Sequence, residues 1–311
     1  MKKFVVIGAA GYIAPRHFRA IKETNNEVIA AMDKSDSVGI IDSFFPNAEF
    51  FTEFERLERH IEKYIYNGNK LDYVTICSPN YLHDAHIRFA MRQQADAICE
   101  KPLVLNPWNM DLLMDIEKRH NRKIFTILQL RLHPTIIELK KLVEQNPHKT
   151  YDIDLSYITS RGKWYFSSWK ADVSKSGGIA TNIGVHFYDM LQWIFGKAQK
   201  NIVHVLENNR AAGFLELKNA RVRWFLSIDR NDLPQSAVKS GKTTYRSLQI
   251  EGKELEFSEG FTDLHTESYK NILAGKGFGV ADTYESINIV YTIRNVKPIG
   301  LVGDYHPFLK K

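Results

Sequence analysis

The pattern of apolar and polar positions changes once along the chain, near residue 150. Before that point, short apolar runs cover residues 3–7, 27–32, 49–51, 73–77, 97–99 and 124–128. Amphipathic stretches lie between them, over residues 14–22, 54–66, 83–94 and 107–120. Strands that alternate with helices in this way form parallel sheets. We therefore predict an α/β domain with a doubly wound parallel sheet over residues 1–130.

The second half carries a different pattern. Runs that alternate or cluster as strands cover residues 152–157, 202–206, 213–217, 221–228, 246–250 and 253–257. No crossover helices separate the later runs, which favours an open, mainly antiparallel sheet with helices on one face. We therefore predict that residues 131–311 form an α+β domain that binds the substrate and carries the oligomer contacts.

A glycine-containing turn joins the first predicted strand to the first predicted helix. At the offsets of G-x-G-x-x-G the chain has Gly8, Ala10 and Ile13, so the better fit is Gly8, Gly11 and Ala14. This Rossmann order of strand, glycine turn and helix lets backbone amides, including those of Tyr12 and Ile13, face a diphosphate. A purely structural turn before a helix would give the same pattern.

A carboxylate follows the second strand and narrows the choice of dinucleotide. Asp33 lies 19 residues after Ala14. At this position a carboxylate accepts hydrogen bonds from both adenosine ribose hydroxyls and repels a 2′-phosphate. We predict NAD rather than NADP, although Lys34 next to it weakens the discrimination.

Other polar residues follow later strands of the same predicted sheet. Ligands of doubly wound sheets bind beyond the carboxyl ends of the strands. We therefore assign these further residues to the cofactor site: Ser78, Pro79, Asn80, His83, Glu100, Lys101 and Gln129.

Composition excludes several classes of protein. The 311 residues are 44% hydrophobic and 25% charged, which is typical of a globular protein of two domains. The apolar runs are too short to cross a membrane, and the two cysteines fit neither a disulfide framework nor a zinc ribbon. The net charge of +6 is scattered along the chain, which favours anionic small molecules over nucleic acid. We expect a cytoplasmic protein without a metal.

Four motifs occur in an order that resembles a known superfamily. They are Gly8–His17, Ser78–His83, Glu100–Pro102 and Gly177–His186. The same order occurs in the superfamily of glucose-fructose oxidoreductase, inositol dehydrogenase and biliverdin reductase. Residues 8–17, 38–43 and 157–162 more closely resemble the UDP-N-acetylglucosaminuronate 3-dehydrogenases of O-antigen sugar synthesis.

The resemblance implies an activity and its partners. It implies oxidation of the C3 hydroxyl of a UDP-linked uronic acid to a ketone, with hydride transfer to NAD. It also implies 2-oxoglutarate as a hydride acceptor, an aminotransferase acting downstream, a homodimer or homotetramer, and a cis bond between Lys101 and Pro102.

Hydride transfer from a secondary alcohol needs a base and a charge that stabilises the alkoxide. Lys101 follows a strand end and can donate to the alkoxide, while His186 can accept the proton, since histidine has an unperturbed pKa of about 6.5. A partly desolvated lysine could instead be the base. We favour His186 as the base. The superfamily usually has Asp where this chain has Asn182, which we expect to orient the hydroxyl.

The segment 177–195 and two arginines complete the predicted substrate site. If the segment is helical, Asn182, His186 and Asp189 lie on one face, at i, i+4 and i+7. Bidentate arginines suit a diphosphate or a carboxylate, so we assign Arg131 and Arg161 to substrate binding. We also assign Trp164 to this site, where it could contact the sugar or the nicotinamide, although it could instead simply fill the interface between the domains.

Two other interpretations stay open at this point. One is another NAD(P)-dependent dehydrogenase of the superfamily, acting on a free sugar, polyol, inositol or dihydrodiol. The other is a nucleotide-sensing regulator without chemistry, which would be expected to lack Lys101 or His186, and both are present.

Overall fold

A computed structural model of the chain describes residues 1–255 and 263–310. These residues form two compact units. The first contains residues 1–129 together with 263–284, and the second contains residues 130–255 together with 285–310.

The strands are numbered in chain order. They are β1 Lys3–Ile7, β2 Glu27–Met32, β3 Glu49–Phe51, β4 Tyr73–Ile76, β5 Asp96–Cys99, β6 Ile124–Thr126, β7 Tyr151–Thr159, β8 Ala198–Leu206, β9 Arg210–Leu217, β10 Ala220–Ser227, β11 Thr244–Ile250 and β12 Lys253–Glu254. The last predicted strand, 253–257, is therefore seen only at its start, because residues 256 and 257 lie outside the described residues.

The α-helices are numbered in the same way. They are α1 Ala14–Glu23, α2 Ile40–Phe44, α3 Phe54–Tyr66, α4 His83–Arg92, α5 Pro107–His120, α6 Pro134–Gln145, α7 Val173–Ser176, α8 Val185–Phe195, α9 Gln235–Lys239, α10 Leu264–Leu273 and α11 Val280–Asn295. None of the helices in these two described stretches is long and apolar enough to cross a membrane.

The first unit is built on a six-stranded sheet of order β3-β2-β1-β4-β5-β6. Every pair of neighbouring strands in it is parallel. The strand order reverses between β1 and β4, and this switch point is where doubly wound sheets bind their ligands. The predicted parallel sheet is confirmed.

Helix α10 joins the first unit although it is distant in sequence. We expected residues 131–311 to form one domain, but residues 263–284 pack with the first unit. The ring of Tyr269 is fully buried and lies 6.0 Å from that of Phe4 on β1. Burying this ring and Ile272 in the core of the first sheet is the physical reason for the difference, because apolar area removed from water stabilises the contact.

The second unit is built on a six-stranded sheet of order β12-β11-β7-β10-β9-β8. Only the central pair β7 and β10 is parallel, and the other pairs are antiparallel. This confirms the predicted open, mainly antiparallel sheet. The segment between β10 and β11 contains the short helix α9.

Candidate functional site

The glycine turn of the first unit passes very close to the end of β4. Gly8 has a φ of +91°, and a Cβ atom at this position would lie 2.5 Å from the carbonyl carbon of Cys77. Only glycine fits both constraints. The turn is closed by hydrogen bonds from the Gly8 amide to the Met32 carbonyl (2.8 Å) and from the Gly11 amide to the Gly8 carbonyl (3.1 Å).

The start of helix α1 leaves backbone donors available. The amides of Tyr12 and Ile13 form no hydrogen bond within the described residues, and Pro15 has no N–H to satisfy. The Tyr12 side chain is 90% exposed. Unpaired amides and the positive end of the helix dipole suit the diphosphate of a dinucleotide. This agrees with the assignment of Tyr12 and Ile13 to the cofactor site.

Asp33 is tied to the same turn. Its Oδ2 accepts a hydrogen bond from the Ala10 amide (3.0 Å), and its Oδ1 accepts one from the Ser35 amide (3.0 Å). A carboxylate has about four lone-pair sites, so both oxygens retain acceptor capacity for ribose hydroxyls. The geometry fits the predicted role in binding ribose.

The turn after β4 is held by two buried histidines. The hydroxyl of Ser78 hydrogen-bonds His86 Nδ1 (2.8 Å), and burial lowers the pKa of His86 to about 4. His83 Nε2 and Nδ1 lie 2.9 Å from the Ser78 carbonyl oxygen and 2.7 Å from the Pro102 carbonyl oxygen. We had assigned His83 to cofactor binding. Because both of its ring nitrogens contact backbone, it instead joins the Ser78 turn to the segment that follows Lys101.

Glu100 and Lys101 directly follow strand β5. Glu100 is 7% exposed, and its Oε1 accepts hydrogen bonds from His17 Nε2 and His265 Nε2, each 3.0 Å long. Its Oε2 faces the Lys101 amide at 3.3 Å. The bond between Lys101 and Pro102 is cis, as the resemblance implies. Both oxygens of the Glu100 carboxylate thus already accept hydrogen bonds from the protein. This arrangement does not favour the direct contact with the cofactor that we predicted for Glu100.

Two more predicted cofactor residues lie at strand ends of this unit. Asn80 is 6% exposed and begins a short 3₁₀ turn directly after Pro79. Gln129 follows β6, and its Oε1 has no hydrogen-bond partner among residues 1–255 and 263–310. A buried amide oxygen without a partner is costly, which fits a site completed by a ligand.

In the second unit, the predicted chemical helix begins with a π-helical turn, Ala180–Gly184, before α8. Asn182 in this turn and His186 on α8 are half-buried, whereas Asp189 on α8 is buried. A Cβ atom at Gly184 would lie 2.6 Å from Leu226 Cδ1, so this glycine allows the turn to pack closely on β10. Such π turns are frequent at functional sites.

Arg131 is used inside the second unit. Its Nε and Nη2 donate to Asp189 Oδ2 (2.9 Å) and Oδ1 (2.7 Å), and the two side chains are 7% and 3% exposed. This bidentate buried pair anchors the start of the unit to helix α8. Asp189 therefore pairs with Arg131, and the pairing fits a structural role for Arg131 better than the expected substrate role.

A second cluster surrounds Asn182. Its Nδ2 donates to the hydroxyl of Tyr165 (3.0 Å), which fixes the orientation of the amide. Burial raises the pKa of Tyr165, against the opposing effects of this hydrogen bond and of Arg161. Arg161 is exposed, and Trp164 is 54% exposed. These groups offer a cation, an aromatic face and a fixed amide to a ligand of the second unit.

Sequence reasoning missed the roles of four residues that support these clusters: His17, His265, Tyr269 and Tyr165. Of these, His17 is the last residue of the Gly8–His17 motif. Nothing in the sequence pattern connects His265 or Tyr269 to Glu100, because 165 or more residues separate them from it.

Comparison with protein families is consistent with these two units. Residues 2–127 match the oxidoreductase family with an NAD-binding Rossmann fold, and residues 140–277 match its C-terminal alpha/beta domain. A solved structure of 48% identity matches almost the whole chain. The chain belongs to this oxidoreductase family. The predicted membership of the superfamily is confirmed, and the first unit is an NAD-binding domain.

The solved structure is the WlbA (WbpB) dehydrogenase from Thermus thermophilus in complex with NAD and alpha-ketoglutarate. It covers 99% of this chain and 100% of its own, with a TM-score of 0.96. The same dehydrogenase in complex with NAD and UDP-GlcNAcA matches with a TM-score of 0.95. The WlbA dehydrogenase from Bordetella pertussis has the same fold, with a TM-score of 0.77 at 16% identity.

Curated relatives are more distant. Glucose-6-phosphate 3-dehydrogenase of Bacillus subtilis is 25% identical over 63% of this chain. The match spans 54% of that enzyme, so the chain matches only about half the length of this relative.

The roles of Asp33 in the turn and in NAD selection can be tested by binding. Asp33→Ala should weaken NAD binding by roughly 10- to 100-fold, since hydrogen bonds to a charged group contribute about 1.5–3 kcal/mol, and should weaken NADP binding less. Calorimetric titration measures both affinities. Asp36→Ala, an exposed residue of the same loop, is the control and should change neither. Equal affinity of the unmodified protein for NAD and NADP would contradict the ribose role.

The structural role of Arg131 can be tested by stability. Asp189→Asn leaves the Arg131 guanidinium buried without its charge partner and should destabilise the protein by about 3–5 kcal/mol. The matched control is Asp152→Asn, which breaks an exposed bidentate pair with Arg221 and should cost about 1 kcal/mol or less. Urea denaturation measures both. Similar small losses would show that Arg131 does not depend on Asp189.

Proposed function

We propose that this protein oxidises the C3 hydroxyl of UDP-N-acetylglucosaminuronic acid to a ketone, with hydride transfer to NAD. The main support is the similarity over 99% of the chain, at 48% identity, to a dehydrogenase solved with NAD and UDP-GlcNAcA. The site residues of both units are compatible with this chemistry. The ketone is a substrate for an aminotransferase that acts next, in O-antigen sugar synthesis, and we expect a homodimer or homotetramer.

Bound NAD supplies the hydride acceptor, and the first unit supplies the means to hold it. The amides of Tyr12 and Ile13 would bind the diphosphate, and Asp33 would bind the adenosine ribose. The Gly8 turn keeps these groups next to the ends of β1 and β4.

Two side chains divide the proton chemistry. We assign to Lys101 a hydrogen bond from its ammonium group to the substrate oxygen, which stabilises the alkoxide as it forms. We assign to His186 the role of general base for the hydroxyl proton. Asn182, whose amide is oriented by Tyr165, would hold the hydroxyl in place for that transfer.

Recognition of the acidic sugar falls to Arg161 in this proposal. Arg131 is already paired with Asp189, whereas Arg161 is exposed near Tyr165 and Trp164. A guanidinium binds a carboxylate with two parallel hydrogen bonds. A nucleotide-sugar diphosphate could use the same cation, so the test must separate the two groups.

The reduced cofactor must pass its hydride to a second acceptor before NAD can be used again. Oxidation of the alcohol is unfavourable unless the ketone or the reduced cofactor is consumed. We propose that 2-oxoglutarate takes the hydride and becomes 2-hydroxyglutarate, since a solved relative contains both NAD and alpha-ketoglutarate.

The catalytic assignments predict large losses of turnover. Lys101→Met and His186→Asn should each lower kcat by about 10² or more, a usual effect for general acid–base groups, while NAD affinity changes little. The matched controls are Lys118→Met and His148→Asn, exposed positions that should retain normal turnover. Near-normal turnover in His186→Asn would give the role of base to Lys101.

The substrate assignment predicts a specific product. With 2-oxoglutarate and a sugar aminotransferase present, UDP-N-acetylglucosaminuronate should yield a 3-amino sugar, detected by mass spectrometry. Arg161→Ala should lower kcat/KM for the uronate by about tenfold or more, and for UDP-N-acetylglucosamine much less, because the latter has no carboxylate. Arg221→Ala is the control. If the unmodified protein oxidised UDP-N-acetylglucosamine as fast as the uronate, recognition of the acid would be refuted, and another sugar dehydrogenase of this family would be the better assignment.

A further inference from the structure

A buried group of side chains in the first unit is not used by the proposed proton chemistry. We call Glu100, His17 and His265 the Glu100 cluster. All three side chains are buried, at 7%, 0% and 2% exposure. Glu100 directly follows β5, His17 lies on α1, and His265 lies on α10, which is far away in sequence. The fold therefore brings the three side chains together at one strand end.

The hydrogen bonds of the cluster define where its protons lie. Glu100 Oε1 is 3.0 Å from the Nε2 atoms of both histidines, and an ionised carboxylate only accepts, so both Nε2 atoms donate. His17 Nδ1 can accept from the hydroxyl of Tyr269 (2.9 Å), which in turn can accept from Thr75 (2.9 Å). This chain of donors and acceptors closes with His17 neutral.

The second ring nitrogen of His265 has no acceptor for a proton in the part of the chain that the structure describes. Its Nδ1 is buried and has no hydrogen-bond partner among the described residues. An imidazolium would place an unsatisfied N–H at that atom, which is costly in a buried site. The hydrogen-bonded arrangement also needs no metal ion, because the two Nε2 protons already point at the oxygen that an ion would share.

The cluster therefore carries one uncompensated negative charge. Burial raises the pKa of Glu100, but the hydrogen bonds from His17 and His265 outweigh it, so the pKa lies well below its usual range. Burial lowers the pKa of His17. Within residues 1–255 and 263–310, no lysine or arginine forms an ion pair with Glu100. A buried charge without a partner is unfavourable, so a cation that reaches this strand end would be stabilised.

We propose that the fixed negative charge of the Glu100 cluster favours the oxidised, positively charged nicotinamide over its neutral reduced form. The inference rests on the proposed function, in which Lys101, the residue after Glu100, acts beside the nicotinamide. Glu100 is then a positioning and electrostatic residue, whose Oε2 also holds the Lys101 amide. Stabilising the oxidised form makes the bound reduced cofactor a better hydride donor, which suits transfer to a 2-oxo acid.

The test compares the affinities of the whole protein for NAD and for NADH. Glu100→Gln keeps the size of the side chain and removes the charge, so the ratio of the dissociation constant for NADH to that for NAD should fall by about tenfold. Glu100→Asp keeps the charge and should retain most of the ratio, although it disturbs packing more. Asp96→Asn removes a carboxylate at the other end of the same strand and is the matched control.

A purely structural role would change both affinities together and leave the ratio unchanged, which would overturn the inference. If Glu100→Gln does not fold, the test passes to His265. His265→Leu removes one of the two donors that keep the carboxylate ionised and should lower the ratio, whereas His265→Gln keeps a donor and should not. If His265→Leu and His265→Gln had the same ratio of NADH to NAD dissociation constants, the inference would also be overturned.

These outcomes differ from failure of the proposed function. If the unmodified protein bound neither dinucleotide, the proposed function would fail. If it bound both and Lys101→Met abolished turnover, but Glu100→Gln left the ratio unchanged, only the role of the Glu100 cluster would fail.

Discussion

The cofactor edge of this protein depends on the close passage of the Gly8 turn over the end of β4. A Cβ atom at Gly8 would lie 2.5 Å from backbone, so the turn exists only because this residue has no side chain. The passage brings the start of α1 beside the strand switch point, and the Ala10 amide then reaches Asp33. The positions of the free amides and of the Asp33 carboxylate are thus set by backbone geometry.

Charge is distributed differently in the two units. At the edge of the first sheet, buried histidines keep Glu100 ionised and link the Ser78 turn to the segment after Lys101. In the second unit, the buried charge of Asp189 is matched by Arg131, whereas Arg161 is exposed and acts electrostatically on Tyr165. The first arrangement suits a cationic ring, and the second suits an acidic ligand.

Local patterns in the sequence were sufficient for much of this structure. The alternation of strands and helices predicted the parallel sheet, and the Gly8 and Asp33 positions predicted its dinucleotide edge, because those features depend on neighbours along the chain. Contacts between distant segments were not predictable in this way. Helix α10 supplies Tyr269 and His265 to the first unit, and a single sequence contains no signal for that packing. Likewise, the π turn before α8 was not predictable, because the residue pattern over 177–195 indicates only a regular helix.

The most direct test of the proposed chemistry follows the hydrogen atom that leaves the sugar. UDP-N-acetylglucosaminuronate carrying deuterium at C3 would be incubated with the protein, NAD and 2-oxoglutarate, and the products analysed by mass spectrometry. We expect deuterium in the reduced cofactor and at C2 of 2-hydroxyglutarate, with none left at C3 of the oxidised sugar. Oxidised sugar that retained its deuterium, together with unlabelled 2-hydroxyglutarate, would show that another carbon is oxidised and would contradict the proposed reaction.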